Sequence, residues 1–337
     1  MTSLSLCGEL GESLEDELSI KNPMLLVGIG GVGSKIAAAA SAALECKCLL
    51  ISNDKKDLVH NERCSAIFVR SGEWVNPSSY KLRSFVESHR NEMATAMRGY
   101  STVIVVSNLA GRAGTAIAPI VCRMAKDSST AVISITIMPF KYETDRIFGA
   151  GTALRRVREV SDSTIVMDND AFLDNNSELS QQDCFVITNN AIVEVIASIS
   201  TGMIKPAMNV LCTSRASPSS ESSLRDSLSM LYDAVPDAST VKRAMVYVMG
   251  GKRIPIGELN KLVGCVRGIF KEDGSIEVGM LSSMSSSNGV RVHLVASAPQ
   301  KTRFDSYDPL GDIIPDVLDW DEPDSAPDIK LTIPAIE

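Results

Sequence analysis

Apolar residues in this chain fall in short, nearly continuous runs at 24–29, 48–52, 66–69, 102–106, 131–137 and 163–167. Unalternated runs of that length predict strands buried on both faces. Longer mixed segments separate them. An Ala-rich stretch at 35–44 predicts a closely packed helix, Asn76-Pro77 opens a helix through about Met97, and helices follow to about Lys126 and over 152–160. Strands alternating with helices predict a parallel sheet covered on both sides. Ile192, Val195, Ile196 and Ile199 recur at helical spacing, which predicts a buried or half-buried helix over 189–204. The character then changes. Residues 214–229 are Ser-rich, with Pro218 among them, and read as a loop passing into a helix. Strands at 243–249, 275–280 and 290–298 with a helix at 256–269 predict a small mixed sheet, 282–287 joining its last two strands as a hairpin. From Pro299 the chain is acidic and punctuated by proline, which reads as a flexible tail.

The expected fold class is therefore α/β. A doubly wound parallel-sheet domain spans 23–187, a central helix 188–204 and a smaller α+β domain 205–298, between an acidic arm (1–22) and the tail (299–337). The length of 337 residues suits two domains. The net charge of −8 and the 5% aromatic content argue against phosphate-backbone and base-stacking recognition, so no nucleic-acid partner is expected. None of the eight cysteines is spaced CxxC, which argues against a zinc ribbon; scattered thiols fit a reducing cytoplasm. His60, His89 and His293 are too dispersed to suggest a metal site. No run reaches the ~20 apolar residues of a membrane span, and the acidic N-terminus lacks the features of a signal peptide. A cytoplasmic protein without direct membrane insertion is expected.

Two glycine loops carry the candidate chemistry. The first, Gly28-Ile-Gly-Gly-Val-Gly-Ser34, joins an apolar run to the Ala-rich helix. Glycines there let backbone approach a ligand closely, and the helix N-terminus offers free N–H groups and partial positive charge to a phosphate. Asn53 and Asp54, at the end of the second run, are placed to hold a ribose. The second loop, Ser107 to Pro119, also lies between strand and helix, so two loops would grip the phosphates of one nucleotide from two sides. Arg112 within it has three readings: it binds phosphate, it fills the phosphate position itself, or it points into solvent.

These segments together resemble the FtsZ and tubulin superfamily of filament-forming GTPases, from about Met24 to Ala298. The resemblance rests on the first loop, Gly28, Gly30, Gly31, Gly33, Ser34 and Lys35; on Ser52-Asn53-Asp54; on Asn76-Pro77; and on Pro139-Phe-Lys-Tyr-Glu143. It extends through Asn169-Asp170, Thr188-Asn189-Asn190, Pro206-Ala-Met-Asn-Val210, Gly250-Gly251 and Glu258-Leu-Asn260. It implies a site for GTP or GDP, with Mg²⁺ alongside a triphosphate. It carries the family's nucleotide contacts to Gly28, Gly30, Gly31, Gly33, Ser34, Lys35, Asn53, Asp54, Pro139, Glu143, Asn169 and Asn190, and to Gly111, Arg112, Ala113, Gly114, Thr115 and Arg146. The departures bear on activity. In the family's glycine-threonine signature a glycine has become Arg112 and a threonine Ala113, and the guanine-holding Asn has become Lys35. In the loop expected after the central helix Asn209 is retained, but the two catalytic acidic positions align with Leu211 and Ser214. The resemblance thus implies a cytoskeletal protein of cell division or cell shape, joining itself or an FtsZ-type relative in head-to-tail filaments, with weak or absent hydrolysis. The apolar segment 328–336 resembles a terminal peptide that docks on membrane-tethering or regulatory proteins. The competing readings are an ATP-dependent adenylating enzyme of the ThiF type, which the first glycine loop also resembles, and a nucleotide-independent scaffold.

Overall fold

The computed structural model describes residues 18–58, 62–71, 77–170, 173, 177–200, 203–204, 208–241, 243–250, 255–268, 275–282, 289–298 and 301–311. The predicted apolar runs are strands: β2 (Met24–Ile29), β3 (Lys47–Ser52), β4 (Cys64–Phe68), β5 (Thr102–Asn108), β6 (Ala131–Met138) and β7 (Ser163–Asp168). Each is followed, apart from β3, by helix. These are α1 (Gly30–Leu44), α2 (Ser79–Glu87) with α3 (Arg90–Met97), α4 (Arg112–Asp127), α5 (Thr144–Val160) and α6 (Gln181–Ile199). The strand order β7-β6-β5-β2-β3-β4 is parallel throughout, and β2, β5 and β6 have almost no exposed side chain. Two groups of helices cover the sheet: α1 packs with α6, and α4 packs between α2 and α5. The α/β class read from the apolar runs is the observed one.

Several boundaries differ from expectation, each for a local reason. The helix expected over 77–97 is two, because Ser88 and His89 turn their side chains onto the Phe85 carbonyl and close α2. Helix α1 begins at Gly30, within the glycine loop, and α5 begins at Thr144. The central helix starts earlier than the apolar period suggested, because Ser180 and Asp183 form a reciprocal capping box ahead of it. It ends at Ile199, and Met203–Ile204 (β8) pairs antiparallel with Leu18–Ser19 (β1), so the end of the expected acidic arm is ordered strand.

The larger correction concerns the C-terminal half. Its strands are β9 (Met208–Thr213), β10 (Arg243–Gly250), β11 (Ser275–Ser282) and β12 (Arg291–Ser297), with helices α7 (Ser220–Ala234) and α8 (Ile256–Arg267). They do not form a separate small sheet. Strand β9 pairs parallel with β7, and β12 and β10 continue outward, making one ten-stranded sheet of order β11-β10-β12-β9-β7-β6-β5-β2-β3-β4. The expected hairpin is absent: β11 pairs parallel with β10 and β12 pairs antiparallel with the other edge of β10. Crossover through α8 allows the parallel pairing, which a short loop cannot make.

The predicted tail also begins late. Residues 301–311 lie along α5, where Arg158 pairs with Asp305, Arg155 pairs with Asp308 and donates to the Gly311 carbonyl, and Phe304 is buried. A Cβ on Gly151 would stand 2.6 Å from the Tyr307 carbonyl carbon, so α5 admits this strap only because it has no side chain there. Asp305 and Asp308, expected in the flexible acidic tail, are thus held in ion pairs. Asn76, residues 1–17 and the apolar segment 328–336 lie outside the described residues.

Candidate functional site: a cleft between two glycine loops

The sheet order reverses beside β2: β3 continues on one side and β5 lies on the other. In open α/β sheets the crevice beyond the strand ends at such a reversal is where ligands bind. Here β2 feeds α1 and β5 feeds α4, so both helix N-termini open there. Gly30, at φ +67°, turns the chain sharply into α1, and a Cβ on it would stand 3.1 Å from the Ala113 Cβ of the second loop. The two loops therefore touch. Gly33 is pressed to the Val106 carbonyl and Gly114 to the Asn108 carbonyl, where a Cβ would stand 2.3 and 2.0 Å away. Neither α1 nor α4 has a side-chain N-cap or an acidic residue in its first turn. Two uncapped helix ends with free N–H groups face one space, a setting suited to an anion.

That space is a cleft of about 620 Å³. Of the residues expected to bind nucleotide, Gly30, Gly31, Asn53, Asp54, Gly111, Arg112, Ala113, Gly114, Thr115 and Arg146 line it. Asp57, Ser78, Asn108, Asp145 and Gly149 line it as well, and sequence reasoning did not single them out.

Residues 23–177 match the Tubulin/FtsZ family, GTPase domain. Together with the relatives and solved structures that follow, this match supports an FtsZ/tubulin superfamily member. Cell division protein FtsZ 1 of Halobacterium salinarum is 27% identical over 282 residues, 74% of this chain and 70% of that protein. Cell division protein FtsZ 2 of Methanocaldococcus jannaschii is 29% identical over 126 residues, and that match spans 37% of this chain and 33% of the relative. Among solved structures, an empty FtsZ dimer of M. jannaschii superposes with a TM-score of 0.68 at 19% identity, over 83% of this chain and 89% of that one. A GTPγS-bound CetZ2 protofilament of Haloferax volcanii gives 0.62 at 21%, over 85% and 96%. The comparisons favour this family over the adenylating enzymes.

Within this FtsZ/tubulin-type chain, the remaining expected residues divide by role. Gly28, Gly33 and Ser34 lie behind the cleft, buried where α1 crosses β2 and β5, with the Ser34 hydroxyl directed at the Gly28 carbonyl. Lys35 is exposed and outside the lining. Thr115 turns its hydroxyl onto the carbonyls of Leu109 and Gly111, bracing its own loop. Glu143 accepts from the Phe140 N–H and pairs with Arg146, so it fixes the α5 end of the wall, while Pro139 is buried behind it. Buried Asn169 donates to the Met138 carbonyl and accepts from Thr188, tying the ends of β6 and β7 to α6; Asn190 is exposed on α6. Arg112 is an exposed part of the cleft lining, and its side chain makes no hydrogen bond or ion pair among the described residues.

The segment read as a catalytic loop is a strand. Asn209 is buried in β9 and donates to the Ser163 hydroxyl at 3.0 Å; Leu211 is buried beside it. Ser214, also buried, accepts from the Val292 N–H. Strong β-formers in the run Asn209-Val-Leu-Cys-Thr213, flanked by β7 and β12, favour pairing over exposure. Cys48, Cys64, Cys122, Cys184 and Cys212 are buried as well, while Cys46 is half-buried and Cys265 exposed; burial pushes the Cys122 thiol up to about 12 and raises Cys48 and Cys212, which suits inert core packing there. Among the described residues there is no cluster able to hold a metal ion, and no helix is long and apolar enough to cross a membrane.

Proposed function

We propose that the cleft binds a guanine nucleotide, GTP or GDP, and that the protein is a cytoplasmic cytoskeletal element of cell division or cell shape. The observation that carries this reading is the convergence of two uncapped helix N-termini, through touching glycine loops, on one nucleotide-sized cleft. The phosphates lie against the first turns of α1 and α4, with Asn53 and Asp54 toward the ribose and Arg112 reaching a phosphate from the rim. Asp54 and Asp57 provide oxygen donors of the kind Mg²⁺ takes alongside phosphates. Hydrolysis is weak or absent, because the positions expected to carry acidic groups hold Leu211 and Ser214, both packed inside the fold. Subunits join head to tail, with copies of themselves or with an FtsZ-type relative, as open heterologous contacts do when the rotation does not close. The segment 328–336 docks a tethering or regulatory protein, and deleting it abolishes that capture without changing the melting temperature; unchanged capture would refute the docking role.

The test is titration of the full chain with fluorescent GDP, GTP and ATP analogues, followed by sedimentation and phosphate release with each. Guanine-selective binding, nucleotide-dependent pelleting and slow release are expected. Failure to bind any nucleotide, with pelleting unchanged, would replace this reading by the nucleotide-independent scaffold.

A further inference from the structure

We infer that the apolar segment 328–336 rests in the groove between α7 and α8 of its own chain, so that a partner docking on this segment must first displace it. The exclusion of a partner rests on the docking role proposed above; the contact with the groove does not, and neither depends on nucleotide binding.

Helices α7 and α8 pack side by side and leave an open groove of about 440 Å³. Leu224 is buried at its floor, Leu228 is half-buried, and Cys265 and the Tyr232 ring, 53% exposed, stand at its edges. Leu224, Leu228 and Tyr232 succeed one another every fourth residue on α7, which spaces them ~6 Å apart along one side of the helix. In the segment, Ile329, Leu331 and Ile333 alternate with Lys330 and Thr332. As an extended peptide it presents those three apolar side chains on one side, ~6.6 Å apart, and the two polar ones on the other. The spacings agree over three positions, so one side of the segment covers the apolar row while Lys330 and Thr332 stay in water.

Connectivity and charge point to the same occupant. The strap 301–311 lies between α5 and α7: Asp305 and Asp308 pair with Arg158 and Arg155 on α5, and Arg303 pairs with Asp233, the residue after Tyr232. Helix α5, the strap, α7 and α8 therefore follow one another across one face of the sheet. From Gly311, held by Arg155, the groove is about two interhelical spacings away, ~20 Å. Residues 312–327 have a root-mean-square span of at least ~20 Å as a flexible chain, and a linker whose span matches the gap gives the highest effective concentration. Over 312–328 the chain carries seven Asp and Glu and no Lys or Arg. Arg225 lines the groove, and Lys261 stands one turn before Cys265 on α8, both exposed. The acidic groups beside them are engaged: Glu221 pairs with Arg225, and Glu258 accepts from the Ser220 hydroxyl. The apolar residues at 313–320 are interrupted by Pro315, Asp316 and Asp319, which leaves 329–333 as the better match to the row.

The test is alkylation of Cys265 by N-ethylmaleimide in the full chain, followed site by site by mass spectrometry, with half-buried Cys46 as the internal control. At the ~1 mM effective concentration that a flexible linker supplies, a contact of ~0.1 mM affinity is occupied about ten to one. Cys265 should therefore react about tenfold more slowly in wild type than in the double variant Leu331→Asp with Ile333→Asp, at every protein concentration, while Cys46 reacts alike in both. Tyr232→Glu, at an exposed position, should release Cys265 to the same extent. Equal Cys265 rates in wild type and the double variant overturn the inference, and protection that survives Tyr232→Glu overturns its placement in this groove. Protection that grows with protein concentration gives the groove to a second copy. Protection lost on Trp320→Asp but kept in the double variant gives it to the linker, and either result overturns the assignment of this segment. Partner capture is measured separately, so its failure leaves the Cys265 result standing.

Discussion

Glu194 is the group through which the central helix is bonded to the C-terminal strands, and replacing it by Gln tests whether that bonding stabilises the fold. Its carboxylate accepts from His293 Nε2 at 2.6 Å and from Arg291, both on β12; His293 Nδ1 is 2.7 Å from the Thr213 hydroxyl on β9. The His293 side chain is fully buried, and those of Arg291 and Glu194 are 14% and 20% exposed. Burial raises the Glu194 carboxyl, but the hydrogen bond and charge of His293, with Arg291, outweigh it and hold the group below its usual range. Hydrogen bonds to charged groups contribute about 1.5–3 kcal/mol each, and leaving a partner unpaired costs a similar amount. With a discount for the residual exposure, Glu194→Gln should cost ~2–4 kcal/mol, and the melting temperature should fall by roughly 3–6 °C. The pH dependence has a definite sign. A depressed folded pKa stabilises the protein above the unfolded value of about 4.3, and that contribution is lost as pH falls through the folded value. Urea melts should therefore show a large gap between wild type and Glu194→Gln near pH 7 that narrows below about pH 4. A gap under ~0.5 kcal/mol near neutrality, or one that does not change on acidification, refutes the reasoning.

Three further outcomes follow from the site. Gly114→Ala drives a Cβ into the Asn108 carbonyl and should cost ~1–3 kcal/mol while abolishing nucleotide binding; Gly257→Ala, in open space on α8, should be neutral or stabilise by up to ~1 kcal/mol. Melts and titrations of the pair check both, and equal behaviour of the two variants would contradict the packing argument. Arg112→Gly should weaken nucleotide binding by about tenfold with a reduced salt dependence; unchanged affinity would leave the side chain in solvent. Asn209→Ala should lower stability by ~1–2 kcal/mol and leave any phosphate release unchanged, whereas specific loss of turnover would give Asn209 a catalytic role.

The strands were legible because each is short, apolar and buried on both faces, and such runs have few alternatives once glycine loops and helices punctuate them. The order of glycines at 28–34 and 111–114 likewise announced two strand-to-helix turns, at which α1 and α4 begin. Local pattern does not state which strand pairs with which. That β9 joins β7 and that β10 separates β11 from β12 follow from non-local pairing, and this turned an expected loop at Asn209 into a buried strand. The cleft lining shows the same division. Gly30, Gly31 and Arg112 were visible in the sequence, because glycine loops carry their meaning in the local chain. Asp57 was not, because an aspartate in a polar turn has no distinguishing neighbour until folding sets it against Gly31. Composition and periodicity determined the elements and their class. Only the tertiary structure decided which face each polar group meets, since that depends on contacts between segments far apart in the chain.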